Sequence, residues 1–121
     1  MNNELLIGLV SISDRASAGV YEDKGLPALQ EWFGAALSSP WKMVTRLIPD
    51  EQPVIEKTLK ELVDDAHCHL VLTTGGTGPA IRDVTPEACA PLFEKRADSL
   101  CELMRMRGMA QTPFSHLSRG I

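Results

Sequence analysis

The chain has 121 residues, 44% apolar and 23% charged, which fits one globular domain and excludes disordered and fibrous classes. Sixteen acids against twelve bases give a net charge of −4 with no basic run, so nucleic acid is not an expected partner. The longest apolar stretch, residues 5–10, falls far short of the about 20 residues that span a bilayer; with no signal segment at the start, the expectation is a cytoplasmic protein with no membrane partner.

Leu5, Leu6, Ile7, Gly8, Leu9, Val10, Ser11 and Ile12 form an apolar run with almost no alternation, as a strand covered on both faces requires. This predicts the first central strand. From Gly25 onward Leu26, Leu29, Trp32, Phe33, Ala36 and Leu37 recur at helical spacing, with Gln30 and Glu31 on the other face, until Ser38-Ser39-Pro40 stop the helix. Residues 41–48 alternate loosely and carry Val44, Thr45 and Ile48, which suits a second strand nearer an edge.

Pro53 fits the first turn of a helix whose apolar face runs through Val54, Ile55, Leu59, Leu62 and Val63. Residues 69–74 read as a third strand, which empties into Gly75-Gly76-Thr77-Gly78-Pro79. Thr85 reads as a helix N-cap with Pro86 at the first helical position. Leu100, Leu103, Met104 and Arg107 then mark one more helix before the polar residues 111–118. Strands alternating with helices predict a single domain over residues 1–121, an α/β unit built as a three-layer α/β/α sandwich with a mainly parallel sheet. Cys68, Cys89 and Cys101 are odd in number and form no C-x-x-C pair, so they read as reduced thiols. His67, Cys68 and His69 invite a metal reading, but strand alternation splits the trio between two faces.

The glycine segment lacks both the Walker ending and the G-x-G-x-x-G order. Three glycines in four positions can bring backbone N–H groups close to an anion, and Thr74 and Thr77 can add hydroxyls; the same residues also suit a plain turn. Arg82 can pair with phosphate oxygens and Asp83 can hold Mg²⁺, or the two can form a solvated pair while Glu87 complements a helix dipole. Asp50 lies just past the second strand, on the rim where the glycine loop falls if the strands are parallel. Asp50 and Asp83 are then expected to face one crevice, with Ser13, Asp14, Arg15 and Ser17 on the same rim. Taken singly, each of these is equally a cap or turn residue.

Leu9-Val10-Ser11-Ile12-Ser13-Asp14-Arg15-Ala16-Ser17, Ile48-Pro49-Asp50-Glu51-Gln52, and Thr73-Thr74-Gly75-Gly76-Thr77-Gly78-Pro79 with Arg82-Asp83-Val84-Thr85-Pro86-Glu87 resemble the motifs of the Mog-type molybdopterin adenylyltransferase family in composition, order and spacing. The resemblance is dense over residues 7–87. It implies a homotrimer that transfers AMP from Mg-ATP to the terminal phosphate of molybdopterin, releases pyrophosphate and hands its product to the molybdate-inserting protein. By the same resemblance Asp50 and Asp83 are catalytic, and Gly75, Gly76, Thr77 and Gly78 hold the pterin or its phosphate; beside them Asp50 and Asp83 are expected to hold Mg²⁺ and Ser13, Thr74, Arg82 and Glu87 to bind substrate or its phosphate. The Ser-Asp-Arg-Ala-Ser segment favours the adenylating branch over the molybdate-inserting one. The resemblance further implies that a C-terminal strand and an Asn-Leu-Pro-Gly-x-Pro loop of the family domain are missing from residues 1–121. The alternative expectation is therefore a module that binds molybdopterin or a nucleotide with little or no catalysis.

Overall fold

The structure, a computed structural model, describes residues 4–121. Strand β1 (Leu5–Ile12) lies between β2 (Trp41–Ile48) and β3 (Leu70–Thr74), and both pairings are parallel. The central position accounts for the sequence of β1. A strand with neighbours on both edges and helices on both faces has no side turned to water, so it needs no polar alternation.

The pleat sorts its side chains between two apolar clusters. Ile7 and Leu9 pack with Phe33 of helix α2 (Gly25–Ala36), whose ring also meets Trp41 at a centroid distance of 5.7 Å. Val10 and Ile12 point the other way and join Ile48, Ile55, Leu59, Leu62 and Ala88. That layer consists of α3 (Gln52–Lys60) and α4 (Thr85–Cys89), which pack on each other. Leu9 and Val10 are fully buried; such side chains each contribute about 1.5–3 kcal/mol. The result is the three-layer α/β/α arrangement around a parallel sheet. A single-turn helix, α1 (Asp14–Ser17), follows β1 directly, and α5 (Asp98–Gly108) leads into a 3-10 turn at Pro113–Leu117 within the stretch read as merely polar.

Two local expectations change. The helix expected to carry Val63 on its apolar face gives way after Lys60 to one π-helical turn, Glu61–Asp65, in which Leu62 stays buried and Val63 is exposed. The wider turn re-aims successive side chains, so the apolar stripe no longer follows the α-helical period. Thr85 is not an N-cap but the first residue of α4, with Val84 before it. Its hydroxyl donates to the Gly75 carbonyl and its N–H to the Gly76 carbonyl, both at 3.0 Å. Those loop carbonyls require partners, and Thr85 supplies them.

His69 and Cys68 make contacts within the fold. The His69 Nδ1 accepts the Leu6 N–H at 3.0 Å, and Cys68 Sγ lies beside Gly8. Among the described residues no group of three or more His, Cys, Asp or Glu is placed to hold a metal ion.

Candidate active site

Parallel strands deliver their C-terminal ends to one rim, where the segments leaving β1, β2 and β3 meet. The first two are tied by an exchange of hydrogen bonds. The Asp14 N–H donates to Asp50 Oδ2 at 2.8 Å, and the Asp50 N–H donates to Asp14 Oδ1 at 3.0 Å. Each carboxylate is thus oriented by the other residue's backbone. Arg82 reaches in from beyond the glycine loop and donates through Nε to Asp14 Oδ2 at 2.8 Å and through Nη2 to Oδ1 at 2.9 Å.

This leaves two unlike carboxyls side by side. The Arg82 hydrogen bonds hold the Asp14 carboxyl below its ordinary pKa, whereas partial burial, with the negative charges of Asp14 and Asp83 adding to it, pushes Asp50 above.

The glycine loop lies against Asp50 because two of its residues carry no side chain. Gly75 and Gly76 have φ of +95° and +68°. A methyl group on Gly75 would overlap the Ile12 carbonyl; one on Gly76 would overlap the Thr85 hydroxyl and sit 3.0 Å from Asp50 Oδ1. Glycine alone meets both demands at no steric cost.

Asp50, Gly75, Gly76, Thr74, Ser13 and Asp83 line one crevice of about 410 Å³. The other expected residues are placed differently. Thr77 faces the opposite side of the loop, its hydroxyl 3.2 Å from Ser118 Oγ. Gly78 sits behind Asp83, whose Oδ2 accepts the Ala80 N–H at 3.1 Å. Arg82 stands at the rim, engaged with Asp14. Glu87 does not line the crevice: its carboxylate receives the Arg119 guanidinium at 2.9 and 3.0 Å. The first turn of α4 points this acid toward the C-terminal segment, where an arginine neutralises it.

Three further residues were not read from the sequence. Tyr21 Oη lies 2.9 Å from Ser13 Oγ, and Asp23 accepts the Ser11 hydroxyl at 2.8 Å; both Tyr21 and Asp23 line the crevice. Asp23 also accepts the Leu26 N–H at 3.1 Å, so an acid just ahead of an apolar-periodic helix was the available signal. Arg119, the third, left no comparable trace.

A parallel α/β rim carrying a glycine loop and opposed aspartates defines the class. The chain matches the family described as "Probable molybdopterin binding domain" over residues 8–121, and it belongs to that family. It is 58% identical to the molybdopterin adenylyltransferase of Escherichia coli K12 over 119 residues, which is 98% of this chain and 61% of the relative. With the Haemophilus influenzae protein of the same name it shares 59% identity over 117 residues, 97% of this chain and 59% of the relative. The chain therefore spans about three fifths of the length of these curated relatives. Among solved structures, the molybdopterin biosynthesis enzyme MoaB of Thermus thermophilus matches with a TM-score of 0.84 and 36% identity, covering 97% of this chain and 74% of that one.

Proposed function

We propose that the crevice carries out adenylyl transfer from Mg-ATP to the terminal phosphate of molybdopterin. The observation that carries this reading is the meeting of Asp50 and Asp83 beside a glycine loop, in a chain whose relatives bear that activity in their names. A phosphate oxygen of molybdopterin attacks the α-phosphorus of ATP. The new P–O bond forms as the bond to the β-phosphate oxygen breaks, and pyrophosphate leaves with the electron pair.

Such a step needs little covalent help, so positioning and charge carry most of the rate. The crevice lining is acidic, with Asp23, Asp50 and Asp83 against Lys24, and a triphosphate entering it requires added positive charge. Mg²⁺ fits the donors present, because it binds through one or two carboxylates and completes its shell with water and substrate phosphates. Asp50 and Asp83 are the residues that would hold it, and the bound ion would neutralise phosphate charge. Arg82 takes the attacking or transferred phosphate, since the fork that grips Asp14 matches phosphate oxygens equally well. The Ser13 and Thr74 hydroxyls supply further donors along the lining.

In the same reading the working form is a cytoplasmic homotrimer that hands its product to the molybdate-inserting protein. The free thiols of Cys68, Cys89 and Cys101 agree with a reducing compartment, and exposed Leu100, Leu103, Met104 and Met106 on α5 offer apolar surface for subunit contacts.

Pyrophosphate release in the presence of ATP, Mg²⁺ and molybdopterin tests the proposal. Asp83→Asn, nearly isosteric but uncharged, should lower release by about 10²–10³-fold with an unchanged melting temperature. Parent-like release by this variant would remove Asp83 from the reaction. A parent chain that binds molybdopterin yet releases no pyrophosphate would leave a binding module only.

A further inference from the structure

On the C-terminal side of the glycine loop, a single residue gathers contacts from three parts of the molecule. The Arg119 N–H donates to the Thr77 carbonyl at 2.7 Å. Its guanidinium donates through Nε to the Gly78 carbonyl at 3.0 Å, through Nη2 to the Asp83 carbonyl at 2.8 Å, and through Nη1 and Nη2 to the Glu87 carboxylate. Thr77 and Gly78 form the second half of the glycine loop, Asp83 ends the turn that follows, and Glu87 belongs to the first turn of α4. Arg119 therefore closes a ring around residues 77–87 from outside.

The geometry points to Arg119 as a positioning residue for adenylyl transfer, one that fixes the main chain on both sides of the 78–83 turn and so aims the Asp83 carboxylate into the crevice. It does not itself line the crevice, and it meets Asp83 at the main-chain carbonyl rather than at the carboxylate. Its action is through the carbonyls of Gly78 and Asp83. The neighbouring Ser118 hydroxyl meets Thr77, and Ile121 packs against the apolar cluster under β1, so the arginine is held from both sides along its own segment. The planar fork suits this role: five donors in one plane serve two carbonyls and a carboxylate at once, which a lysine ammonium on a flexible stem does not do. The Glu87 carboxylate orients the guanidinium, and the hydrogen bonds from Arg119 draw its pKa down.

This inference rests on the adenylyl-transfer reading, and its test separates the two. Pyrophosphate release is measured for the parent chain, Arg119→Ala and Arg119→Lys, with ATP, Mg²⁺ and molybdopterin, with and without added ethylguanidinium. Arg119→Ala should lose about 10²-fold in kcat, as expected when a reacting group is misplaced by about 1 Å, while KM for ATP changes little. Ethylguanidinium should restore at least about tenfold of that loss. Arg119→Lys keeps the charge opposite Glu87, so it should melt close to the parent and still show most of the kcat loss.

Parent-like kcat in either variant overturns the proposal, as does a loss confined to KM or one that ethylguanidinium leaves unchanged in a folded Arg119→Ala. If the parent chain releases no pyrophosphate, the adenylyl-transfer reading fails and amide hydrogen exchange decides the positioning claim. Exchange over residues 78–83 should then be about tenfold faster in Arg119→Lys than in the parent. Equal exchange in the two would overturn it.

Discussion

Two arginines flank the glycine loop, and each grips a carboxylate with two donors, yet they do different work. Arg82 is 60% exposed and, among the described residues, hydrogen-bonds the Asp14 side chain alone, itself 39% exposed; Arg119 and Glu87 are 43% exposed each. Exposure does not separate them. The difference lies in the remaining donors, which Arg119 directs to the Gly78 and Asp83 carbonyls. An exposed ion pair standing alone adds little stability, so Asp14 can give up Arg82 to an arriving phosphate. A fork anchored in main-chain carbonyls has no such exchange partner, and it sets loop shape instead. On the proposed reading, Arg82 is a ligand site at rest and Arg119 is scaffold.

That contrast can be broken most severely at the loop both arginines depend on. Gly76→Ala forces a side chain into left-handed backbone and against Thr85 Oγ1, and should cost roughly 1–3 kcal/mol in urea unfolding while abolishing transfer. A variant with the parent's unfolding midpoint and activity would show that the turn tolerates the methyl group and that the close approach to Asp50 has no function.

A smaller effect separates the arginines directly. Arg82→Ala should raise KM for molybdopterin about tenfold, with Arg82→Lys recovering only part because an ammonium is not a two-donor fork. An unchanged KM would make Arg82 a partner of Asp14 alone.

The smallest effect is in the pH dependence of stability. Asp14 and Glu87 have lowered pKa values, so each contributes stability that is complete above the unfolded carboxyl range and is lost as pH falls through the depressed folded value. Asp50, with its raised pKa, works in the opposite sense and costs stability as pH climbs through its folded value. Asp50→Asn removes that opposing contribution, so the stability gained between about pH 3 and pH 7 should be steeper than in the parent. Equal slopes would mean that burial at the rim leaves the Asp50 carboxyl unperturbed.

What the sequence made legible follows the kind of signal each part leaves. Strands β1 and β2 were readable to the residue, since a buried parallel strand writes itself as a continuous apolar run and Pro40 and Pro49 mark the ends of the second. The joint presence of Asp50, Gly75, Gly76 and Asp83 in one crevice followed from parallel topology, which sends successive strand ends to the same rim. The role of Thr85 was misread because a hydroxyl before Pro86 looks identical whether it caps its own helix or satisfies a loop carbonyl. Glu87 and Arg119 were unreadable as a pair. Arg119 lies outside every periodic element, and two of its acceptors are main-chain carbonyls, whose presence no side-chain identity reveals.

The order of strands in the sheet also bears on how the chain comes into being. Of the three strands, β1 leaves the ribosome first, and it is the one that must be flanked on both sides. Its pairing toward β2 closes across contacts 36 residues apart, and that toward β3 across contacts 63 apart. Parallel pairing at such separations is slow, because loop entropy is lost before the contacts form. Until β2 has emerged the apolar run Leu5–Ile12 has no strand on either edge, the kind of segment that nascent-chain chaperones shield. The crevice itself is complete only after Asp83 has emerged, so any ligand it takes would stabilise the late, nearly finished fold.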